Sequence, residues 1–103
     1  MLVLTTCGSA EEAENLAGQL VGSREAACVN RISNVTSTYR WHGEVHNDEE
    51  ILLLIKTTED RLADVERTIR ERSSYELPEL IAVRVDTGSP DYLDWLAAAV
   101  IQE

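Results

Sequence analysis

Residues 26–57 decide the fold, and their sequence is AACVNRISNVTSTYRWHGEVHNDEEILLLIKT. The first part, residues 26–41, is rich in Val, Ile, Thr, Tyr and Trp, which favour β-strands. Residues 51–55 form an unbroken apolar run, which is typical of a central strand buried on both faces. Gly43 and the acidic segment 47–50 separate the two parts. The stretch therefore predicts a hairpin of two long strands.

The parity of the inward-facing residues changes once along the first of these strands. Alternate residues from Val35 to Trp41 share one face, whereas alternate residues from Cys28 to Ile32 have the other parity. An extra residue in one strand of an antiparallel pair accounts for such a change. We therefore expect a β-bulge or a break near residues 33–34.

A short strand and a helix precede the hairpin. Residues 2–6 are apolar and β-branched, and Gly8 and Ser9 follow them as residues that end a strand. The segment therefore predicts a buried strand. Ser9 is the expected N-cap of the helix, and Glu12 three positions later would complete a capping box. The helix is expected from about residue 10 to residue 21. Its apolar stripe consists of Ala13, Leu16, Ala17 and Leu20.

A second helix is expected directly after the hairpin. Thr57 or Thr58 can cap it, and acidic residues in its first turn favour the positive end of the helix dipole. The helix is expected to end near Arg72, before a loop at residues 73–79. The inward stripe consists of Leu62, Val65 and Ile69.

The last part of the chain predicts one more strand and one more helix. Residues 81–85 alternate as a half-buried strand with Ile81, Val83 and Val85 on one face. Ser89 precedes Pro90, which suits the first position of a helix. The expected apolar side of that helix consists of Leu93, Leu96, Ala97 and Val100.

The order of elements indicates an α+β, ferredoxin-like fold. It is β-α-β-β-α-β with an added C-terminal helix, which is the split βαβ pattern. A length of 103 residues suits one hydrophobic core and is too short for two, so residues 1–103 are expected to form a single domain. Because this fold carries many unrelated activities, it predicts no function by itself.

Composition and charge exclude several classes of partner. The chain has 44% hydrophobic and 27% charged residues, as soluble globular proteins do. Its formal net charge of −10 argues against binding to nucleic acid or to anionic membrane surfaces, which require basic patches. The N-terminal residues 1–4 lack a basic region before a long apolar one, so we expect a cytoplasmic protein. Cys7 and Cys28 are expected to be free thiols.

Few residues offer chemistry. The sequence contains neither of the standard glycine-rich phosphate loops and no recognisable pairing of a nucleophile with a base. In an extended segment, His42, Glu44 and His46 would share a face and could bind a divalent transition ion. The alternative is an exposed polar hairpin, because Gly43 interrupts the alternation. Cys28 is likewise either a metal ligand or a small buried apolar residue.

Five segments follow one another in a characteristic order. They are residues 26–30 (AACVN), 39–45 (YRWHGEV), 48–58 (DEEILLLIKTT), 75–81 (YELPELI) and 91–95 (DYLDW). Together they resemble the CutA family of divalent-cation tolerance proteins over residues 2–95. The resemblance implies a ferredoxin-like subunit, similar to the nitrogen-regulatory PII proteins, that assembles into a tight homotrimer. It also implies a link to copper and other divalent metals, but neither an established enzymatic activity nor an obligatory cofactor.

The resemblance also matches particular residues of this chain to residues of the family's motifs. The family cysteine corresponds to Cys28, the lysine at a strand end to Lys56, and the Tyr-Glu-x-Pro-Glu loop to residues 75–79. Family members commonly have a histidine two positions before the loop tyrosine, where this chain has Ser73. The absence of that imidazole predicts weaker metal binding.

These observations predict a homotrimeric protein of metal tolerance that is not an enzyme. Weak binding of Cu²⁺ or another divalent metal is expected, with Cys28, His42 and His46 as candidate ligands. A cleft between subunits is expected to take a small ligand. Its candidate residues are Lys56, Tyr75, Glu76 and Glu79.

Two alternatives remain. The first is a PII-like sensor that binds a small metabolite and then a protein partner. The second is a small enzyme of unknown reaction.

Overall fold

The computed structural model describes residues 1–101, so the last two residues of the expected domain, 102 and 103, lie outside the described part. The elements are β1 (Leu2–Cys7), α1 (Ala10–Gly22), β2 (Cys28–Trp41), β3 (Glu44–Lys56), α2 (Leu62–Arg72), β4 (Ile81–Val83) and α3 (Pro90–Ala99). The strands form one antiparallel sheet in the order β2-β3-β1-β4. The predicted α+β, ferredoxin-like arrangement is confirmed.

The main core lies between the sheet and the helices α1 and α2. In β1 the buried residues alternate, so that Val3, Thr5 and Cys7 face the helices. From β3, Leu53 and Ile55 face the same way. The residues that α1 and α2 contribute are Ala13, Leu16, Leu20, Val65 and Ile69. The predicted apolar stripe of α1 is therefore confirmed.

The start of α1 is capped by only half of the predicted capping box. The hydroxyl of Ser9 accepts a hydrogen bond from the backbone N–H of Glu12 at 3.2 Å. The carboxylate of Glu12 does not return this bond. It accepts hydrogen bonds from the backbone N–H of Ser74 at 3.0 Å and from the Ser74 hydroxyl at 2.8 Å. Glu12 thus fastens α1 to the segment that follows α2.

Neither threonine caps α2 through its side chain, so that prediction is wrong. A 3₁₀ turn, Glu59–Arg61, precedes α2, and Thr58 stands at its N-cap position without a capping bond. The Thr58 hydroxyl instead donates to Oδ1 of Asp60 at 2.6 Å. The buried Thr57 donates to the carbonyl oxygen of Glu25 at 2.6 Å, which ties the end of β3 to the turn before β2.

The predicted bulge in β2 is confirmed. The pairing between β2 and β3 shifts register between Ile32 and Val35. Asn34, inside the shift, has φ of +62°, the left-handed conformation that asparagine tolerates better than most residues. As a result Ile32, which is opposite Leu52, and Val35, which is opposite Glu50, lie on the same side of the sheet.

The side of the sheet turned away from α1 and α2 is apolar and partly exposed. β3 was expected to be buried on both faces, but Leu52 and Leu54 are only partly covered. Register places further apolar side chains beside them on this side. We call this surface the open face, and its residues are Leu2, Leu4, Ile32, Val35, Leu52, Leu54, Ile81 and Val83.

β4 is shorter and more exposed than predicted. It ends at Val83 rather than at Val85, and both of these residues are about half exposed, at 49% and 50%. Ile81 is 54% exposed. Only Ala82 turns towards the helices and packs against the core. Two residues of the predicted half-buried stripe, Ile81 and Val83, therefore belong to the open face.

Fewer side chains of α3 pack against the rest of the chain than its sequence pattern predicts. Ser89 accepts a hydrogen bond from the backbone N–H of Tyr92, which confirms the predicted cap. Leu96 and Val100 pack against Ala27, whereas the predicted partners Leu93 and Ala97 are exposed.

Among residues 1–101, none of the helices has the length and apolar character that a membrane crossing requires.

Candidate functional site

A cavity of about 680 Å³ opens beside the loop that joins α2 to β4. The end of β1, the far half of the hairpin β2–β3 and the loop each supply part of its wall. Its lining residues are Thr6, Ser37, Thr38, Tyr39, Trp41, Glu50, Tyr75, Glu76, Leu77, Pro78 and Glu79. Three of the four predicted cleft residues, Tyr75, Glu76 and Glu79, therefore lie together.

Tyr75 anchors the loop to the sheet. Its hydroxyl donates a 2.7 Å hydrogen bond to Oε2 of Glu50 on β3. Burial raises the pKa of the Tyr75 phenol, and the hydrogen bond to Glu50 and its negative charge raise it further. The phenol is therefore held in its protonated form, as a hydrogen-bond donor. The backbone N–H of Tyr75 donates to the hydroxyl of Ser73 at 3.1 Å. Ser73 thus shapes the loop.

The end of β1 comes close to the same tyrosine. A Cβ atom on Gly8 would lie 3.2 Å from the Tyr75 hydroxyl oxygen, so this approach suits a glycine. The neighbouring Cys7 is buried, and burial raises the pKa of its thiol to about 11, with smaller contributions from Glu12 and Glu50. Cys7 is therefore a thiol at neutral pH.

Sequence reasoning did not identify Gly8 or Glu50 as neighbours of the loop tyrosine. Gly8 was read only as a residue that ends a strand, and Glu50 only as part of an acidic segment. The pairing of Cys7 with Ile51 places the end of β1 next to Glu50. No local sequence pattern predicts this register between β1 and β3.

Lys56 is not part of the cavity within one chain. It lies at the end of β3, on the same side of the sheet as Glu50 but about 20 Å along the strand, at roughly 3.3 Å per residue. Its ammonium group donates a hydrogen bond to Oδ1 of Asn30 on β2. The four predicted cleft residues can therefore meet only if Lys56 comes from another subunit.

Cys28 lies far from the other two candidate metal ligands within one chain. Cys28 begins β2, which has 14 residues, and His42 follows its other end, about 40 Å away at roughly 3.3 Å per residue. His46 lies near His42 at the hairpin end of β3, opposite Tyr39. Across residues 1–101, no three His, Cys, Asp or Glu side chains converge on one point that could hold a metal ion. Metal ligation by Cys28 together with a histidine of the same chain is therefore excluded.

The chain turns at His42 and Gly43, so the extended arrangement in which His42, Glu44 and His46 would share a face does not form, and the alternative of an exposed polar hairpin is observed. His42 has φ of +51° and Gly43 has φ of +80°, and these values reverse the chain between β2 and β3. The rings of His42 and Trp41 form a T-shaped pair with a centroid distance of 4.7 Å. His46 stacks on Tyr39 at 5.6 Å, and its Nε2 lies 4.0 Å from Oε2 of Glu44. Only Glu44 and His46 remain neighbours.

The sheet order, the hairpin and the Tyr75 loop agree with one protein family. The family model for the CutA1 divalent ion tolerance protein matches residues 1–99. The chain belongs to the CutA1 family. The relationship covers all the described elements, including the strands and the loop that line the cavity.

Individual CutA proteins are similar along almost the whole chain. The divalent-cation tolerance protein CutA of Thermus thermophilus is 43% identical over 95 residues, which is 92% of each chain. CutA from Xylella fastidiosa is 38% identical in sequence, and its crystal structure matches with a TM-score of 0.95 over 97% of this chain and 96% of the other. A PII-like protein CutA from Nostoc, in apo form, is 31% identical, with a TM-score of 0.90 over 97% of this chain and 96% of the other.

Proposed function

We propose that the chain works as a homotrimeric divalent-cation tolerance protein that binds Cu²⁺ or another divalent metal weakly. The observation that best supports a trimer is the partly exposed apolar surface of the open face. The run at residues 51–55 has the composition of a strand buried on both faces, yet Leu52 and Leu54 are only partly covered within one chain. Further chains on this face would complete the burial that the sequence predicts.

The projecting hairpin supports the same assembly. β1 pairs with residues 51–56 of β3, while residues 44–50 pair only with β2. The far half of the hairpin therefore has edges without a strand partner in the described chain. Unpaired strand edges favour pairing with another chain, and closure into a small symmetric oligomer removes this liability.

Weak copper binding follows from the positions of the candidate ligands. His42 and His46 stand at one end of the hairpin, and imidazole nitrogen favours Cu²⁺ over Mg²⁺ or Ca²⁺. Two histidines and a carboxylate at a surface do not make the closed four-ligand site that stabilises a fold. Cys28 at the other end of β2 offers a soft sulfur that could act only with ligands of another subunit.

A crystal structure of the protein grown with copper tests this proposal. We expect three subunits packed through their open faces and copper bound at His42 or His46. A monomer with exposed open faces would contradict the trimer. Copper bound only by residues distant from the hairpin and from Cys28 would contradict the ligand assignment.

A second function, PII-like sensing of a small metabolite, is favoured by the cavity beside Tyr75. Its volume of about 680 Å³ suits a small organic ligand, and polar and aromatic side chains converge on it. In the assembly we propose that Lys56 of a neighbouring subunit completes a cleft with Tyr75, Glu76 and Glu79. A thermal-shift screen of metabolites against the native assembly tests this role, because a ligand that binds the native state raises its stability.

We propose no enzymatic activity and no obligatory cofactor. Burial holds the Cys7 thiol in its protonated form, and a protonated thiol is a poor nucleophile. We also propose that the protein is cytoplasmic, since both Cys7 and Cys28 are free. The formal charge of −10 supports partners other than nucleic acids or membranes. Cell fractionation with a tagged chain tests the location.

A further inference from the structure

The loop between α2 and β4 is held at its start by two neighbouring residues. The carboxylate of Glu12 on α1 accepts hydrogen bonds from the backbone N–H and the hydroxyl of Ser74, at 3.0 and 2.8 Å. We call this pair of bonds the latch. The next residue, Tyr75, donates its 2.7 Å hydrogen bond to Glu50 of β3. Both contacts lie within one chain and need no neighbouring subunit.

The latch differs from the other backbone bonds at the start of the loop. The N–H of Ser73 donates to the carbonyl oxygen of Ile69 in α2 at 2.9 Å, and the N–H of Tyr75 donates to the Ser73 hydroxyl at 3.1 Å. These bonds shape the turn, but their acceptors lie just before it in the chain. The N–H of Ser74 instead donates to Glu12, which is 62 positions away. Glu12 therefore sets where the turn lies relative to α1.

The junction of β1 and α1 contacts both residues of the loop. Glu12 binds Ser74, and a Cβ atom on Gly8 would lie 3.2 Å from the Tyr75 hydroxyl oxygen. Burial raises the pKa of the Tyr75 phenol most, then the bond to Glu50 and its charge, and the charge of Glu12 adds to them. Because Ser74 and Tyr75 are adjacent, a shift of Ser74 away from Glu12 moves the phenol as well.

The latch can be reached from the helical side of the sheet, away from the open face. It lies in the wall of an outer groove of about 650 Å³, where Ser74 is exposed and Glu12 is partly buried. The lining residues within 1–101 carry three carboxylates, those of Glu11, Glu12 and Glu71, and one guanidinium, that of Arg72. A further negative charge on the Ser74 side chain would therefore be repelled from Glu12.

We propose that Glu12 is a positioning residue, whose latch to Ser74 keeps the Tyr75 hydroxyl on Glu50. Opening the latch at the outer groove would release the start of the loop and change the cleft on the other side of the chain. The inference deepens the proposed sensing role, because it names a contact that regulates the cleft. That regulatory meaning rests on the proposed role, whereas the latch itself is tested without a ligand.

A double-mutant cycle between Glu12 and Tyr75 tests the latch. Tyr75→Phe removes the bond to Glu50 and raises the unfolding equilibrium constant by some factor. In a Glu12→Ala background, where Tyr75 is already released, we expect this factor to be at least about threefold smaller than in wild type. Denaturant unfolding at one fixed protein concentration measures it, and light scattering checks that the variants share one assembly.

Two further backgrounds separate positioning from a merely structural contribution. Glu12→Gln keeps an amide oxygen that accepts the bond from the Ser74 N–H, so the Tyr75→Phe factor should equal that of wild type. Glu11→Ala removes the other carboxylate from the first turn of α1 and controls for the helix dipole. The factor should be unchanged there too.

Two substitutions of equal size at Ser74 test the same contact from the loop. Ser74→Asn places an amide near Glu12 that can donate a hydrogen bond, whereas Ser74→Asp places a carboxylate there that is repelled. The Tyr75→Phe factor should be at least about threefold smaller with Ser74→Asp than with Ser74→Asn. Added salt should reduce this difference, because it screens the repulsion.

Separate results overturn the latch and the proposed function. Equal Tyr75→Phe factors in wild type and Glu12→Ala would overturn the latch, because Glu12 would then stabilise the chain without positioning Tyr75. Equal factors with Ser74→Asp and Ser74→Asn would also overturn it, and this pair decides alone if Glu12→Ala does not fold. A latch that holds while no metabolite stabilises the wild type would refute the sensing role alone.

Discussion

The hydroxyl of Tyr75 donates a 2.7 Å hydrogen bond to Oε2 of Glu50 and so joins the loop after α2 to β3. The two residues are 25 positions apart in the sequence. Because Glu50 lies where β3 passes beyond the end of β1, this bond fixes the loop over the sheet end and forms one side of the cavity. This contact holds the start of the loop at β3, and the 2.6 Å hydrogen bond from the Thr5 hydroxyl to the carbonyl oxygen of Glu79 holds its end at β1.

Removing the Tyr75 hydroxyl is expected to change the pH dependence of stability. The pKa of folded Tyr75 lies above its unfolded value of about 10, so the stabilisation is complete below about pH 10 and is lost as the pH rises through the folded pKa. Wild type should therefore be more stable than Tyr75→Phe at about pH 8, and the difference should shrink above about pH 10. Denaturant unfolding at fixed protein concentration measures this. A difference that does not change with pH would contradict the account.

A second variant tests whether the charge of Glu50 contributes. Glu50→Gln keeps an oxygen that accepts the Tyr75 hydrogen bond but removes the negative charge that raises the phenol pKa. Absorbance titration of the phenolate should then show Tyr75 ionising at lower pH than in wild type. An unchanged titration would mean that burial alone sets this pKa.

Asn34 is expected to be a position of backbone strain for most residues. With φ of +62°, its replacement by alanine should cost about 1–2 kcal/mol of unfolding free energy, whereas Asn34→Gly should be close to neutral. Ser33→Ala, next to it in the bulge, is the control and should have little effect. If Asn34→Ala is as stable as Asn34→Gly, the left-handed conformation is not what selects asparagine here.

The hydrogen bond from Thr68 to the buried carboxylate of Glu25 is expected to stabilise the fold. Glu25 also accepts a hydrogen bond from the Ser23 hydroxyl at 2.8 Å, so the contact ties the turn after α1 to α2. Thr68→Val keeps the shape but removes one donor, and should cost about 1–3 kcal/mol. Thr36→Val at an exposed position of β2 is the matched control. Equal stability of the two variants would show that Glu25 does not need this partner.

Copper is expected to bind weakly and to leave the fold independent of metal. Chelator should not change the unfolding transition, because residues 1–101 contain no closed ligand set that could stabilise the fold. In calorimetric titration, His46→Ala should weaken copper binding, while Cys28→Ala should alter stability more than affinity. Nanomolar copper binding that disappears in Cys28→Ala would instead make Cys28 a true ligand.

The parts of the fold that follow from local pattern were predictable from sequence. Alternation along β2 located the bulge at residues 33–34, and the helical spacing in α1 located its buried stripe. The contact of Tyr75 with Glu50 was not predictable, because it depends on how a loop docks on a distant strand. The turn in the histidine segment also follows a local signal, because Gly43 interrupts the alternation of side chains that an extended segment would have. The distance between Cys28 and the histidines depends on the length of β2, which has 14 residues.

The role of the open face in assembly can be tested by two matched substitutions. Ile81 is 54% exposed on the open face, whereas Val21 is 42% exposed at the end of α1, on the helical side. A lysine at either position disturbs the folded chain little, because both side chains are already in contact with water. Only Ile81→Lys places a charge where a neighbouring subunit is expected to pack, which is unfavourable.

Light scattering at micromolar concentration is the most direct test of the trimer. Wild type and Val21→Lys should both have about three times the chain mass of 11.5 kDa, and Ile81→Lys should shift towards the mass of a single chain. A wild-type mass of one chain, or an Ile81→Lys variant that assembles as wild type does, would contradict assembly through the open face.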